Sequence, residues 1–307
     1  MLKHLLKKFL ILAASIWVVA TLTFVLIHII PGNPFAEEQT SQETIASLNR
    51  YYGLDKPIWQ QYIIYLKNLL HGDLGYSLKY VGRAATSIIR DGFPISLILG
   101  MESLCIALVL GLTLGSLSAL KRGRWQDQYI MIGAVLGISV PSFILATILQ
   151  YLFAMQLDWF PVARWGTFQQ SVLPALALAA FPTAIIARLT RTNMVEVLQQ
   201  DYILTAKAKG LSTFQIITQH ALRNTLLPVI SYIGPLTANV LTGSFVVEKI
   251  FAIPGLGQWF VMSVSNRDYS LIMALTIFYS AFLMLTIFFV DVMYAWLDPR
   301  IKKVGRA

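Results

Sequence analysis

The stretch RLTRTNMVEVLQQDYILTAKAKGLSTFQIITQHALRN, Arg188–Asn224, decides how this chain is organised. Neither Gly nor Pro interrupts it before Gly210. A helix is expected up to Lys209, with Gly210 ending it at a C′ position. Ser212 then suits the cap of a second, short helix. Neither piece is long or apolar enough to cross a bilayer core of ~30 Å, which takes about 20 helical residues. Apolar runs stand on both sides, Ser171–Ala187 before it and Leu226–Val247 after it. The loop 188–225 therefore reads as a helix–turn–helix element tied to two spans. Ile203, Leu204, Ala206, Ala208, Leu211, Phe214 and Ile217 would be exposed apolar surface unless something covers them. That calls for a protein partner.

The rest of the chain is as apolar as these flanks. Of 307 residues, 56% are apolar and 13% charged, against about 25% charged in soluble domains. Mean hydropathy is +0.65. A soluble globular protein and a disordered one are both excluded. Six runs qualify as spans: Phe9–Ile30, Ile95–Leu120, Tyr129–Leu157, Ser171–Ala187, Leu226–Val247 and Leu271–Val290. The fourth carries Pro174 and Pro182. Proline is tolerated in a span where neighbours satisfy the freed backbone, so a kinked helix inside a bundle is expected. Lys3, Lys7 and Lys8 resemble the start of a signal peptide, but the 22-residue apolar run after them exceeds the ~7–15 of such a segment. HIIPGNP follows it with no small-x-small cleavage site, and a retained first span is expected. The fold class is an all-α polytopic membrane protein with six transmembrane helices. The single cysteine, Cys105, and four scattered histidines offer no disulfide and no metal-ligand spacing, so no metal or cofactor is expected.

Loop charge gives the orientation. With the N-terminus inside, segments 1–8, 121–128, 188–225 and 298–307 hold 15 Lys and Arg, and the longer outer segments hold 9. This is the positive-inside pattern, and it places both termini in the cytoplasm. The net charge of +9 is thereby explained as inner-loop charge, and a nucleic-acid partner loses its motive. The expected organisation is a segment and first span over 1–30, an outer helical loop over 31–94, a five-helix core over 95–297 and a tail over 298–307.

The outer loop is too long for a plain connector. Thr40 to Glu43 reads TSQE, a capping-box form. Asp55 and Pro57 suit a second helix start, and Gly72 suits its end. On that helix Trp59, Tyr62, Ile63, Leu66, Leu69 and Leu70 share a face at 3–4 spacing. A small helical cap on the outer face is expected, and a docking surface for an outside partner is compatible with it.

Several motifs stand in order along the chain: HIIPGNP at 28–34, GLDKP at 53–57, GDLGYS at 72–77 and VPSF at 140–143. RLTR at 188–191, QDYILTAKAKGLS at 200–212 and HALRNTLLP at 220–228 follow. VEKIFAIPGLG at 247–257, RDYS at 267–270 and DPR at 298–300 complete the series. In their order and spacing the chain resembles the inner-membrane permeases of ATP-binding-cassette importers, and more closely the B-type permease of the oligopeptide/dipeptide/nickel group. That family's inner-loop signature runs EAA, three residues, Gly, nine residues, then I-x-L-P. Aligned on Gly210, this chain has Leu204, Thr205 and Ala206 at EAA, His220 at Ile, Leu222 as in the family, and Arg223 at Pro. Leu204 cannot accept an ion pair, so an acidic residue's role does not carry over. Ala206 and Gly210 do.

The resemblance implies a type I importer permease fold in a bacterial inner membrane. It implies two permeases, this one and a homologous partner, forming the path, with two ATPase subunits beneath and an extracytoplasmic substrate-binding protein above. The ATPase-coupling residues would be Asp201, Tyr202, Thr205, Ala206, Lys207, Lys209, Gly210, Leu211 and Phe214. Ser139, Ser142, Asn239 and Thr242 are candidates to line the path. The sequence has no G-x-x-x-x-G-K-[ST] phosphate loop, no nucleophile elbow and no H-E-x-x-H, so a catalytic role is not expected. Peptides are the expected cargo, with nickel or another small solute as the alternative. The rival of a different class is an ion-coupled carrier, which would show repeated halves with broken helices; no convincing repeat is visible. Glu102 and Asp291, in or at the edge of spans, would serve such a carrier as a proton relay. The plainer expectation is snorkelling, or pairing of Asp291 with Arg188 or Arg191.

Overall fold

The computed structural model describes residues 2–29, 53, 55–80, 82–242 and 245–297, with a few side chains inside these helices excepted. The TSQE cap, most of HIIPGNP and the 298–307 tail lie outside them. The described residues are mostly helical, with one isolated bridge between Tyr76 and Ala84. In chain order the helices are α1 (Leu2–Ile29), α2 (Ile58–Leu70), α3 (Ala85–Leu120), α4 (Trp125–Ser139) and α5 (Ser142–Leu149). A π-helical turn, Gln150–Gln156, extends α5. Then come α6 (Phe168–Val197), α7 (Asp201–Ala208), α8 (Thr213–Gln215), a second π turn (Ile216–Ala221) and α9 (Leu222–Thr242). The series ends with α10 (Phe245–Ile250), α11 (Leu256–Ser265) and α12 (Tyr269–Leu297).

Among the described residues, four helices are long and apolar enough to cross a membrane: α1, α3, α6 and α12. The expected third span differs from a straight helix. It divides at Val140–Pro141, and its halves, α4 and α5 with the π turn, are bent by 108°. Proline disfavours helical backbone at the residue before it, and Val140 is extended at φ −87°, ψ 119°. The expected fifth span falls largely on α9, which carries Pro228 and Pro235.

The chain forms two compact units. One comprises residues 1–95 and 255–288. Here α2 packs against the end of α1: the Thr21 and Tyr62 hydroxyls are 2.6 Å apart, and the Phe24 ring lies 5.3 Å from Tyr62 and 5.5 Å from Tyr65. The packed face of α2 is thus shifted from the one expected. Tyr62, Tyr65, Leu66 and Leu69 are half-buried, while Trp59, Ile63 and Leu70 are exposed. Gly72 follows α2 at φ +75°, the left-handed turn expected of it. In the same unit GDLGYS and RDYS meet. The buried Asp268 carboxylate accepts hydrogen bonds from the Ser77 hydroxyl and from the backbone N–H of Leu78 and Leu271. The Ser270 hydroxyl donates to the Tyr76 carbonyl at 2.6 Å.

The other unit comprises residues 96–254 and 289–307, and α6 is its centre. Its apolar stretch is more than half buried, and Pro174 and Pro182 are buried within it, in keeping with a proline-bearing helix packed inside a bundle. Small residues set the closeness of packing. A Cβ on Gly115 would stand 2.6 Å from the Ala187 carbonyl oxygen and the Thr190 Cβ, and one on Gly111 2.7 Å from the Ile186 Cβ. On α4, Gly137 approaches Ala180 and Ala184 in the same way, at 3.2 Å.

Candidate coupling site

The loop 188–225 is built from the end of α6, then α7, Gly210, α8 and the second π turn. The helix expected to run to Lys209 stops earlier. After Val197 the backbone tightens, with the Gln199 and Gln200 N–H bonding the Glu196 and Val197 carbonyls. Gln200 is then extended, at ψ 148°. Asp201 opens α7, where a carboxylate favours the N-terminal end of the helix dipole. The break has a packing cause. In an unbroken helix Ile203 would lie about 13 Å along the axis from Met194. Instead both belong to one buried cluster with Ala119, Ala206, Ile216 and Ala221, against which Leu211 and Ile217 pack.

This overturns part of the sequence reading. Ile203 and Ala206, expected to wait for an outside partner, are buried within the chain at 0% and 5% exposure. Leu211 is half-buried on the same cluster. They fasten the loop to the ends of α3 and α6. The apolar surface left exposed is smaller: Tyr202, Leu204 and Phe214, the last 74% exposed. Asp201, Thr205, Lys207 and Lys209 are exposed beside them. Gly210 has φ +80° and nothing within 4 Å of a would-be Cβ, so conformation alone accounts for glycine there. Ser212 caps α8, its hydroxyl accepting from the Gln215 N–H at 3.3 Å. The Asn224 amide donates to the Tyr202 hydroxyl at 2.8 Å, tying α7 to α9. The Thr205 hydroxyl donates to the Asp201 carbonyl within α7, at 3.1 Å.

A further group stands above this loop, and the sequence reading did not find it. Asp127, in the first turn of α4 and buried, receives the Arg191 guanidinium in a two-point contact, Nε to Oδ1 at 2.6 Å and Nη2 to Oδ2 at 2.8 Å. The Ser118 hydroxyl donates to the same carboxylate, as does the Gly123 N–H at 2.9 Å. Arg191 is one of the two arginines offered above as a partner for Asp291, beside snorkelling. It is engaged by Asp127 instead, and the Asp291 side chain lies outside the described residues. The available signal was a lone carboxylate among Lys121, Arg122 and Arg124, at the mouth of the same span boundary as RLTR. Two of the four path candidates have described side chains. Ser139, exposed, and Ser142, half-buried, flank the Val140–Pro141 break, and the side chains of Asn239 and Thr242 lie outside the described residues. Glu102 is half-buried on α3. Among the described residues no group of three or more His, Cys, Asp or Glu is placed to hold a metal.

Residues 111–303 match the family described as the binding-protein-dependent transport system inner membrane component, and residues 1–99 match its N-terminal component. The chain belongs to this family. The permease is 53% identical over 303 residues, 98% of each chain, to the dipeptide transport system permease protein DppB of Bacillus subtilis. It is 41% identical over 305 residues, 98% of this chain and all of the relative, to the oligopeptide transport system permease protein OppB of Haemophilus influenzae. The resemblance drawn from its motifs therefore holds. Among solved structures, the permease is similar in fold to a chain of the MetNI methionine ABC transporter in an inward-facing conformation. That match has a TM-score of 0.59 and 16% identity, covering 69% of this chain and 96% of that one. This likeness gives the permease core the type I importer fold.

Proposed function

We propose that this permease is one membrane-spanning half of an ATP-driven importer for short peptides, placed in a bacterial inner membrane with loop 188–225 on the cytoplasmic side. Its partners are a homologous second permease, two ATPase subunits and an extracytoplasmic binding protein. It has no ATP site of its own and converts the ATPase stroke into alternating access. The observation that carries this reading is the divided burial of residues 201–217. Ile203, Ala206 and Ile216 are buried against the ends of α3 and α6, while Tyr202, Leu204 and Phe214 are left exposed to solvent. An element fastened by some side chains and bare at others passes a rigid-body movement from a docked protein into the spans. Bare apolar side chains on short helices suit a groove on a partner protein. The dipeptide and oligopeptide permease relatives support peptide as the cargo.

The test is growth of a strain lacking this permease and auxotrophic for one amino acid, supplied as a dipeptide or an oligopeptide. Growth restored by the permease supports the reading. Peptide growth unaffected by its loss, with uptake of nickel or another solute lost instead, overturns it.

A further inference from the structure

The inner ends of three helices meet at the Asp127 carboxylate. Ser118 belongs to the last turn of α3, Asp127 to the first turn of α4, and Arg191 to α6, less than two turns from its end. Two of these helix ends, those of α3 and α6, also reach the coupling loop. Ala119, next to Ser118, and Met194, three residues after Arg191, are members of the buried cluster that seats Ile203 and Ala206 of α7. Met194 further touches Thr225 of α9, whose hydroxyl lies 3.5 Å from its sulfur. A continuous chain of contacts thus runs from α7 through Met194 and Arg191 to Asp127 and α4.

Such a pair is costly to bury unless every lone pair is used. Here Arg191 grips both oxygens, and Ser118 and the Gly123 N–H supply further donors. The Gly123 bond fixes the turn between α3 and α4 as well, with Gly123 at φ +76°. A two-point guanidinium contact resists rotation as well as separation. An apolar contact alone would allow α4 to slide along α6.

We propose that Asp127 and Arg191 are positioning residues for transport: their clamp locks the inner ends of α3, α4 and α6 into one body, so that movement of α7 reaches α4 and the bend at Val140–Pro141. This rests on the ATP-driven reading above and extends it to a pair outside the family's loop signature. With the clamp broken, the ATPase still docks and turns over, but the stroke is spent in the loop and solute is not moved.

The test uses the complete importer in proteoliposomes, with ATPase subunits and binding protein, and reads peptide uptake per ATP hydrolysed. Asp127→Asn alone leaves a guanidinium without its anion and threatens the fold, so the informative variant is Asp127→Asn with Arg191→Gln, which neutralises both partners. We expect wild-type membrane levels and wild-type ATPase pull-down, with uptake per ATP reduced about ten-fold, the scale of a coupling contact. Arg191→Lys, keeping the charge but losing the two-point grip, should fall between. An unchanged ratio in the double variant overturns the proposal, as does a loss of ATPase pull-down, which would place the pair in docking instead. Wild-type complex without any ATP-dependent uptake would overturn the functional reading itself, a different outcome from either.

Discussion

Gly210 and Phe214 are four residues apart and depend on their surroundings in opposite ways. At Gly210 the backbone is left-handed and the space around a Cβ is open, so a substitution is penalised by conformation and not by collision. Asparagine tolerates such a φ and β-branched residues do not. Gly210→Asn should leave uptake near normal, while Gly210→Val should lower it with membrane insertion kept; equal uptake in the two variants would contradict the account. Phe214 is exposed in this chain, and in the proposed reading it is the anchor for the ATPase. Truncating a buried interface aromatic costs about 2 kcal/mol or more, roughly thirty-fold in affinity. Phe214→Ala should weaken ATPase pull-down and uptake together at unchanged permease level, and Lys207→Ala should do much less, since rim charges act mainly on encounter rate. Gly210 and Ser212 were legible because each answers a local backbone requirement. Ala206 was not, because its burial depends on Ala119 and Met194, far away in sequence, and no loop composition reveals which face the fold will cover.

At the scale of elements, the apolar runs gave the long helices, and the breaks within them came from packing or from a single proline. The end of α6 at Val197 is a packing break: nothing in EVLQQDY forbids a helix, and the chain turns so that Ile203 reaches Met194. VPSF stood in the sequence as a motif inside one expected span and was not read as a break, and the bend of 108° is set by what α5 packs upon. The GDLGYS and RDYS motifs could be seen and not paired, because Asp268 joins them across most of the chain length. Helix contact offers its own test. Gly115 meets α6 with no room for a methyl group, and overpacking of this kind costs about 1–3 kcal/mol. Gly115→Val should lower the thermal stability of the purified permease. Gly133→Ala, where nothing lies within 4 Å, should leave it unchanged or slightly raised through helix propensity. Equal melting of both variants with the parent would show that α3 and α6 do not pack as described.

For the whole molecule, orientation and energy source are the matters to test. With Cys105, which is exposed on the chain's surface, first replaced, Gln42→Cys should react with an impermeant thiol reagent applied from outside, and Ser212→Cys should not. The reverse pattern would contradict the positive-inside assignment. The central claim is that ATP hydrolysis by docked subunits, delivered through α7 and α8, drives peptide through this permease. The most direct measurement is uptake of a labelled dipeptide into proteoliposomes holding the complete importer, with ATP or an imposed proton gradient as the only energy source. The account predicts uptake with ATP alone, abolished when the ATPase subunits are omitted and sharply reduced by Phe214→Ala. Uptake driven by the proton gradient in liposomes holding this permease without any ATPase would contradict it.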